Sequence, residues 1–542
     1  MPAGEIQLVA YGEENIVLND SPQITFFKIV YRRYTNFSIE TVQTNFIYQA
    51  IFGKKYSVEI SKLGDLLHKM WLVIELPDIP IIYNLNNSVD NRIKFKWASK
   101  IAYALIDYVE IEIGGQTIDR QWGEWMNVLN ELNWNNYNSS LDQYIGNTPE
   151  FTTYKLVKDG VNSQMLYIPL FFWFCNSSGS ALPLLCMEYS IVRFYIQLNN
   201  FENCGIFSPS NFIKISNYYG NGILGEPLIQ YNNQGIAWGE YDSVEINSYD
   251  NNLSVTSFYL YYRQISNNQF ITTIESYYNN LGTTYFDINN KTNFIIYGLK
   301  SGSIYIPYSS DPNNYNSIYA QKKYNYILPS DISLKNIYLL IDYVYLDKDE
   351  RTSFYKNKHE YIIEQVYFSN PRYLINQNNT IYIDMINPCK YFVFMGQINY
   401  FSNPNVNDTF NYNIYFFNNK DNSYNNVFKQ KSVIKSVSFN LNSNLTIENL
   451  DMNYYNFYSP FIHYPMTQPP SGFGLFTFSL YPDNLQPSGS CNMSSFNNFE
   501  INVVFNPIDI DYNNYIFKTY AITYNYLKIV NGVVGTIFNS NF

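Results

Sequence analysis

An all-β chain folded as sandwiches or barrels is what the sequence predicts, and three observations predict it. Apolar and polar residues alternate with a period of two in stretch after stretch, as in Tyr108–Ile113, Phe476–Leu480 and Phe499–Phe505, the signature of half-buried strands. Clusters of Gly, Pro, Asn and Ser separate these stretches, which describes a sandwich or barrel rather than βαβ units. The composition agrees: Tyr 55 and Phe 39 are very high, Asn is abundant and Ala scarce, which disfavours long helices and suits strands joined by Asn-rich turns. At 542 residues the chain exceeds one hydrophobic core and should divide into two or more domains. Two consecutive jelly rolls of about eight strands each fit that length once a large loop insertion in the first is set aside.

Taken in order, residues 1–24 read as an N-terminal arm, with Gly4, Gly12 and Pro22 separating short apolar pieces that have no partner nearby. Strands are expected at Phe26–Tyr31, Tyr56–Ile60 and Trp71–Leu76, the last a central strand ended by Pro77. The clearest unit is 101–127. Val109, Ile111 and Ile113 point one way and Glu110 and Glu112 the other, Gly114-Gly115 supplies a two-residue turn of positive φ, and Gln116–Asp119 starts the return strand of a tight hairpin. Trp122, Trp125, Leu129 and Leu132 then follow helical spacing, so a short amphipathic helix should cap the hairpin with both tryptophans beneath it. Asn133–Ser140 is a polar loop, and Tyr167–Phe174 and Leu184–Leu198 supply further strands.

From about 201 to 331 the texture loosens into Asn-Gly-Ser punctuation around short strand-like pieces at Ser254–Tyr262 and Asn293–Tyr297. An insertion of that length should carry its own β structure or a function. Asn336–Leu346 resumes the core as a long buried strand, and the charged run Asp347–Arg351 marks a junction, giving a first jelly roll over 25–352 and a second, with a C-terminal tail, over 353–542. The second half repeats the style at Tyr361–Phe368, Tyr391–Met395, Val433–Leu441 (with Val433, Lys435, Val437, Phe439 and Leu441 on one face), Phe476–Leu480 and Phe499–Phe505.

Five stretches in order resemble the major capsid proteins of nucleocytoplasmic large DNA viruses, with a mimivirus-like flavour. They are Ser21–Lys28 running into Tyr31–Phe37; the hairpin and helix of 101–127; Leu182–Tyr189; Tyr345–Arg351 with His359-Glu360-Tyr361; and Gln486–Asn492. Residues 525–542 are similar to that family's closing block. After Cys491-Asn492, Ser494, Ser495 and Phe496-Asn497 stand where the family has Arg and Asp, which removes a salt bridge but leaves the fold. The resemblance implies a double jelly roll, a homotrimer and a pseudo-hexagonal tile of a large icosahedral shell around an internal membrane. Its partners would be copies of itself, neighbouring capsomers and minor capsid or penton proteins, and it would touch the membrane indirectly. Assembly would take place in the host cytoplasm and the chain would reside in the virion.

Charge and cysteine content agree with that expectation. A net charge of −11 is the wrong sign for wrapping nucleic acid through its phosphates, so no direct nucleic-acid contact is expected. Cys175, Cys186, Cys204, Cys389 and Cys491 form an odd, sparse set without a C-x-x-C, which argues against a disulfide framework and for a reducing compartment. The opening residues lack the pattern of a signal peptide, Pro2 excludes N-myristoylation, and apolar runs such as Tyr167–Phe174 are too short to span a bilayer.

Motifs that could carry chemistry all have a plainer reading. Gly220–Gly225 satisfies G-x-G-x-x-G, yet Pro227 and the polar run after it leave no helix for a pyrophosphate to sit on, so it reads as a loop. His359-Glu360 begins a zinc-protease motif, but Ile363 stands where the second ligand belongs. His68, His359 and His463 are far apart in sequence, and Asp347, Asp349 and Glu350 read as a salt-bridged turn rather than a calcium loop. Trp122 and Trp125 could stack on sugars, but at this spacing they read as core. The sequons Asn138-Ser139-Ser140 and Asn444-Leu445-Thr446 matter where a glycosylation machinery is met. No catalytic, metal or cofactor residue is assigned, and the chain is expected not to be an enzyme. The alternatives are a carbohydrate-binding β-sandwich adhesin, which would be expected to carry a secretion signal and disulfides, and a minor capsid paralogue.

Overall fold

The computed structural model describes Glu5 and residues 21–539 apart from 30, 83–90, 134–138, 233–234, 250–254, 265–269, 271–294, 299, 308–321, 324–331, 399–409, 411, 417–428, 443, 465–471 and 507–514. Most of the expected arm therefore lies outside the described residues, as do Asn138 and parts of the Asn133–Ser140 and Asn293–Tyr297 stretches.

Sixteen strands make two rolls. The first contains β1 (Phe37–Asn45), β2 (Lys55–Glu59), β3 (Leu66–Glu75), β4 (Ile106–Ile113), β5 (Gln116–Trp122), β6 (Met165–Pro169), β7 (Val192–Leu198) and β8 (Asn336–Leu346). The second contains β9 (His359–Leu374), β10 (Asn378–Tyr382), β11 (Pro388–Ile398), β12 (Ile434–Leu441), β13 (Asn444–Asp451), β14 (Gly474–Thr477), β15 (Phe499–Phe505) and β16 (Tyr515–Val530). Sheet orders β1-β8-β3-β6 and β2-β7-β4-β5 face each other in the first roll. In the second they are β9-β16-β11-β14 and β10-β15-β12-β13, the same orders with every number raised by eight. All these ladders are antiparallel, and their inner faces carry the alternating apolar residues: Val109, Ile111 and Ile113 in the first core, and Phe499, Ile501, Val503 and Phe505 in the second. This is a double jelly roll, the fold the sequence predicts.

Several local expectations are corrected. Phe26–Ile29 and Tyr31 form no strand; their apolar side chains face solvent, Phe27 at 99% exposure, because none of the described strands pairs with them. The strand expected over Tyr167–Phe174 stops at Pro169, and Trp173–Asn176 turns into helix. Of Leu184–Leu198, Leu184–Cys186 is a 3₁₀ turn behind Pro183 and strand begins at Val192. Lys435 leaves the inner face because a bulge between Ile434 and Ser436 turns it outward. Similarly, β14 ends at Thr477, so Leu480 is exposed. The charged run is a helix rather than a turn: Asp347 caps α2 (Lys348–Lys356) by accepting the Glu350 N–H at 2.9 Å.

The expected loop insertion is itself a barrel. Between β7 and β8, strands Asn211–Tyr219, Pro227–Asn232, Gly235–Tyr249, Val255–Gln264, Ile296–Gly298 and Ile304–Pro307 pair in a ring, which closes where 211–215 pairs with 258–262. Ile213, Ile215, Leu228, Leu260, Tyr262 and Tyr305 fill it. Closure removes the exposed edges that so long an insertion would otherwise carry.

Candidate functional site

The residues that set this molecule's geometry lie where its three barrels meet. The hairpin of β4 and β5 is as the sequence predicts, with Gly114 and Gly115 at φ +60° and +84°. Its outer face is not bare: Glu110 is buried, 2.7 Å from the Arg120 guanidinium and accepting from the Thr117 hydroxyl. The helix after it, α1 (Gly123–Leu132), packs against both hairpin strands and sends Met126 into the first roll's core, but it is not confined to them. It docks on the second roll, placing Trp125, Val128 and Leu132 among Val366, Tyr391, Val393, Tyr412, Phe473 and Tyr520. Trp122 closes the end of β5 and meets Phe368 with ring centroids 4.8 Å apart. Trp125 is thus core and Trp122 packs on that core from its edge, at a joint between the rolls.

Polar groups complete this joint. Glu124 of α1 accepts hydrogen bonds from the phenols of Tyr412 and Tyr520 and lies 2.9 Å from Lys518 Nζ. Asp119 of β5 is fully enclosed; its carboxylate accepts the Val366 N–H at 3.1 Å and the Gln121 side-chain amide at 2.9 Å. Burial drives its pKa up to about 7 against the pull of those hydrogen bonds, and Glu364 adds to the rise. Beside it, Gln365 donates to the Ile118 carbonyl at 2.5 Å and accepts from Asn525.

The C-terminal residues close the joint from the other side. β16 turns at Asn531-Gly532, φ +52° and +81°, into β17 (Val533–Thr536). The Gly532 carbonyl accepts from Tyr189 N–H, the Ser190 hydroxyl accepts from Val534 N–H, and Gln116 donates to the Thr536 hydroxyl at 2.7 Å. A side chain at position 532 would stand 2.7 Å from the Tyr189 ring, so the turn requires glycine. Leu527, Ile529 and Val534 belong to the first roll's core, although β16 runs through the second.

A charged joint holds the insertion barrel. Arg92, Lys94 and Lys96 face Glu245, Asp242 and Glu240 at 2.7, 2.5 and 3.7 Å. Glu240 also pairs with Arg263 at 3.1 Å and accepts the Tyr154 phenol. Burial would raise its pKa, but the charges of Arg263 and Lys96 outweigh burial and hold it at about 2. Within the barrel the glycines of 220–225 form a turn, and the amides of Ile223, Lys300 and Ser301 all donate to the buried Glu226 carboxylate. The place an anion would take in that loop is filled by the protein's own carboxylate.

The three histidines stay apart, each against a backbone carbonyl: His68 on Phe174, His359 on Phe354 and His463 on Leu480. Among the described residues no group of three or more His, Cys, Asp or Glu side chains could hold a metal ion. Among the large apolar side chains exposed in the described residues, two groups stand out. One comprises Phe26, Phe27, Ile29, Tyr31 and Tyr34, leading into Phe37 and Ile39 on β1, the outer strand of its sheet. The other gathers Phe457, Tyr458, Phe461 and Ile462 beside Leu480, Tyr481 and Leu485, tied by the His463–Leu480 bond at 3.1 Å. Alternation along single strands could not have revealed Glu124, Asp119 or Glu240 as joint residues, because their partners lie hundreds of residues away or on other barrels.

Residues 25–261 match the family described as "Major capsid protein N-terminus", and residues 350–535 match "Large eukaryotic DNA virus major capsid protein". The chain belongs to the major capsid proteins of large eukaryotic DNA viruses. It is 32% identical over 542 residues to "Probable capsid protein 4" of Acanthamoeba polyphaga mimivirus, with 100% of each chain covered. It is 24% identical to the "Major capsid protein" of Phaeocystis pouchetii virus, again over 100% of both. In fold it is similar to the Faustovirus major capsid protein, with a TM-score of 0.62 at 12% identity, covering 94% of this chain and 93% of that one. The two matches cover the second, third and fifth of the resembling stretches in full and the first and fourth in part.

Proposed function

We propose that three copies of this chain close around a three-fold axis into a pseudo-hexagonal capsomer, the repeating tile of a large icosahedral shell. Membership of the family makes the chain a structural protein of the virion capsid that assembles with copies of itself. The observation that carries the trimer is the repeated strand order: one chain presents two rolls of the same topology, locked by α1 and β17. Three such chains place six similar rolls around the axis, and a head-to-tail ring that closes leaves no copy of the interface unsatisfied. The exposed apolar sets on the N-terminal approach to β1 and on residues 457–485 are surface that such contacts would cover.

In this reading residues 25–352 and 353–542 are the two tile units, the arm of 1–24 docks on a neighbour, and the barrel between β7 and β8 is the outward tower. Neighbouring capsomers and minor capsid or penton proteins are its partners, and it does no chemistry of its own. The test is the mass of the purified chain in solution. A trimer has about 191 kDa, three times the 63.6 kDa chain, and Phe461→Asp with Leu480→Asp should hold the chain as a folded monomer. A wild-type monomer that persists at high concentration and binds glycans on an array would overturn the reading in favour of a carbohydrate-binding sandwich.

A further inference from the structure

All five cysteines are free thiols, yet two of them are facing partners in a ladder. β11 pairs antiparallel with the short strand Cys491–Asn492, with Cys389 opposite Cys491 and Pro388 opposite Asn492. Cys389 lies inside the second roll's core, and Cys491 packs against that same core from its rim. The Met493 N–H donates to the Asn387 carbonyl at 3.2 Å, which makes 387/493 a hydrogen-bonded pair. By the alternation of antiparallel ladders, Cys389/Cys491 is then also a hydrogen-bonded pair, with Cα atoms about 5.5 Å apart. Disulfides span Cα separations of about 4.4–6.8 Å, so the backbone already permits a bridge, although Cβ atoms at such a pair stand wider than the usual ~3.8 Å. A bridge made here would be strained, and strained bridges are the easily reduced ones.

We infer that Cys389 and Cys491 are a reversible disulfide site, open while the chain folds among reductants and closed once it meets an oxidising disulfide. The benefit rests on the capsid reading, because a virion passes from the reducing cell interior to an oxidising exterior. The oxidant is a small-molecule disulfide of the glutathione class. The more accessible Cys491 loses its proton and attacks one sulfur of that disulfide, forming a mixed disulfide and expelling one thiolate. Cys389 then loses its proton, attacks Cys491 Sγ and expels the second. Two protein thiols become one S–S bond, and two electrons and two protons pass to the oxidant, which leaves as two thiols. Burial raises both thiols above the usual cysteine range, so exchange is slow near neutrality and quickens as pH rises. The closed bridge would tie the strand at 491 to β11 across about a hundred residues of intervening chain, a long loop to withdraw from the unfolded ensemble.

The experiment treats the purified full-length chain with oxidised glutathione, then denatures it, alkylates free thiols and reads intact mass and a peptide map. The oxidised chain should take up two fewer alkyl groups than the five of the reduced chain. The map should contain a Cys389–Cys491 cross-linked peptide. The reaction should quicken between about pH 7 and pH 9, and Tm should rise by several degrees and fall back on reduction. Cys491→Ser and Cys491→Ala, at a half-buried rim position, should fold, form no bridge and show no redox-dependent Tm. Five alkylated thiols after oxidation, glutathione left on Cys491 as the end product, or a bridge between other cysteines would overturn the site. Thiol counts are read on unassembled chain, so a failed bridge leaves the capsomer reading standing, and a failed trimer leaves the thiol count readable.

Discussion

Glu124 of the first roll and Lys518 of the second form an ion pair 2.9 Å long in which both side chains are largely enclosed, at 10% and 15% exposure. The pair sits at the end of α1, and the phenols of Tyr412 and Tyr520 satisfy the remaining acceptor capacity of the carboxylate. Breaking one side of such a pair strands a buried charge, which costs about 3–5 kcal/mol, more than the intact pair contributes over an apolar substitute. Lys518→Met and Glu124→Gln should each destabilise the chain on that scale in urea unfolding. Their combination should cost less than the two added together. Additive losses would mean that the residues do not share the joint.

Trp125 gives the apolar half of the same joint. Its ring lies 5.6 Å from Tyr520 and 6.3 Å from Tyr391, centroid to centroid, on the opposite roll. Trp125→Ala empties a fully buried site and should cost about 3–5 kcal/mol. Because the cavity opens between the rolls rather than inside either, calorimetry should show one transition splitting into two. A single transition shifted down would place the ring's contribution inside one roll.

Asp119 makes the joint sensitive to pH in the direction opposite to most carboxylates. Burial raises its folded pKa to about 7 from the ordinary aspartate value of 3.8, so between those values the folded state holds a proton that the unfolded state has released. Its contribution is therefore complete below about pH 3.8 and is lost as pH rises through about 7. Asp119→Asn cannot titrate. Between about pH 5 and pH 8 the wild type should lose Tm relative to this variant, whatever constant offset the amide introduces. Parallel profiles across that window would show that Asp119 is already ionised in the fold.

Periodicity disclosed the strands and hid the joints, for a physical reason. Phe499–Phe505 and Asn336–Leu346 were legible end to end because an alternating strand records its own inner face. The helical spacing of Trp125 and Leu132 disclosed that one face of α1 is covered, but not by what. Local pattern carries no information about a surface supplied some 240 to 400 residues later. Phe26–Tyr31 misled for the converse reason: apolar content suggests burial, and here the described residues offer no partner. The ring closure of the insertion depends on a pairing between 211–215 and 258–262, a tertiary event that short strands punctuated by Asn and Gly do not announce.

At the base of the insertion barrel the pH dependence has the ordinary sign. Glu240 is held at about 2, below the ordinary glutamate value of 4.5, by Arg263 and Lys96 acting against burial. The unfolded state therefore takes up the proton first, and the stabilisation is present above about pH 4.5 and lost as pH falls through about 2. Of the bonds Glu240 makes, those to Lys96 and Tyr154 reach outside the insertion barrel to the chain that precedes it, so acid should loosen that attachment ahead of the second roll. Hydrogen exchange resolved by peptide should show amides of 227–264 quickening at a higher pH than those of β11 and β16. Glu240→Gln, which leaves Arg263 and Lys96 facing a neutral amide, should produce the same loosening at neutral pH, at a cost of about 3–5 kcal/mol. If both regions quicken together in acid and the variant exchanges like the wild type, the barrel is held by its apolar contacts and the charged zipper is incidental.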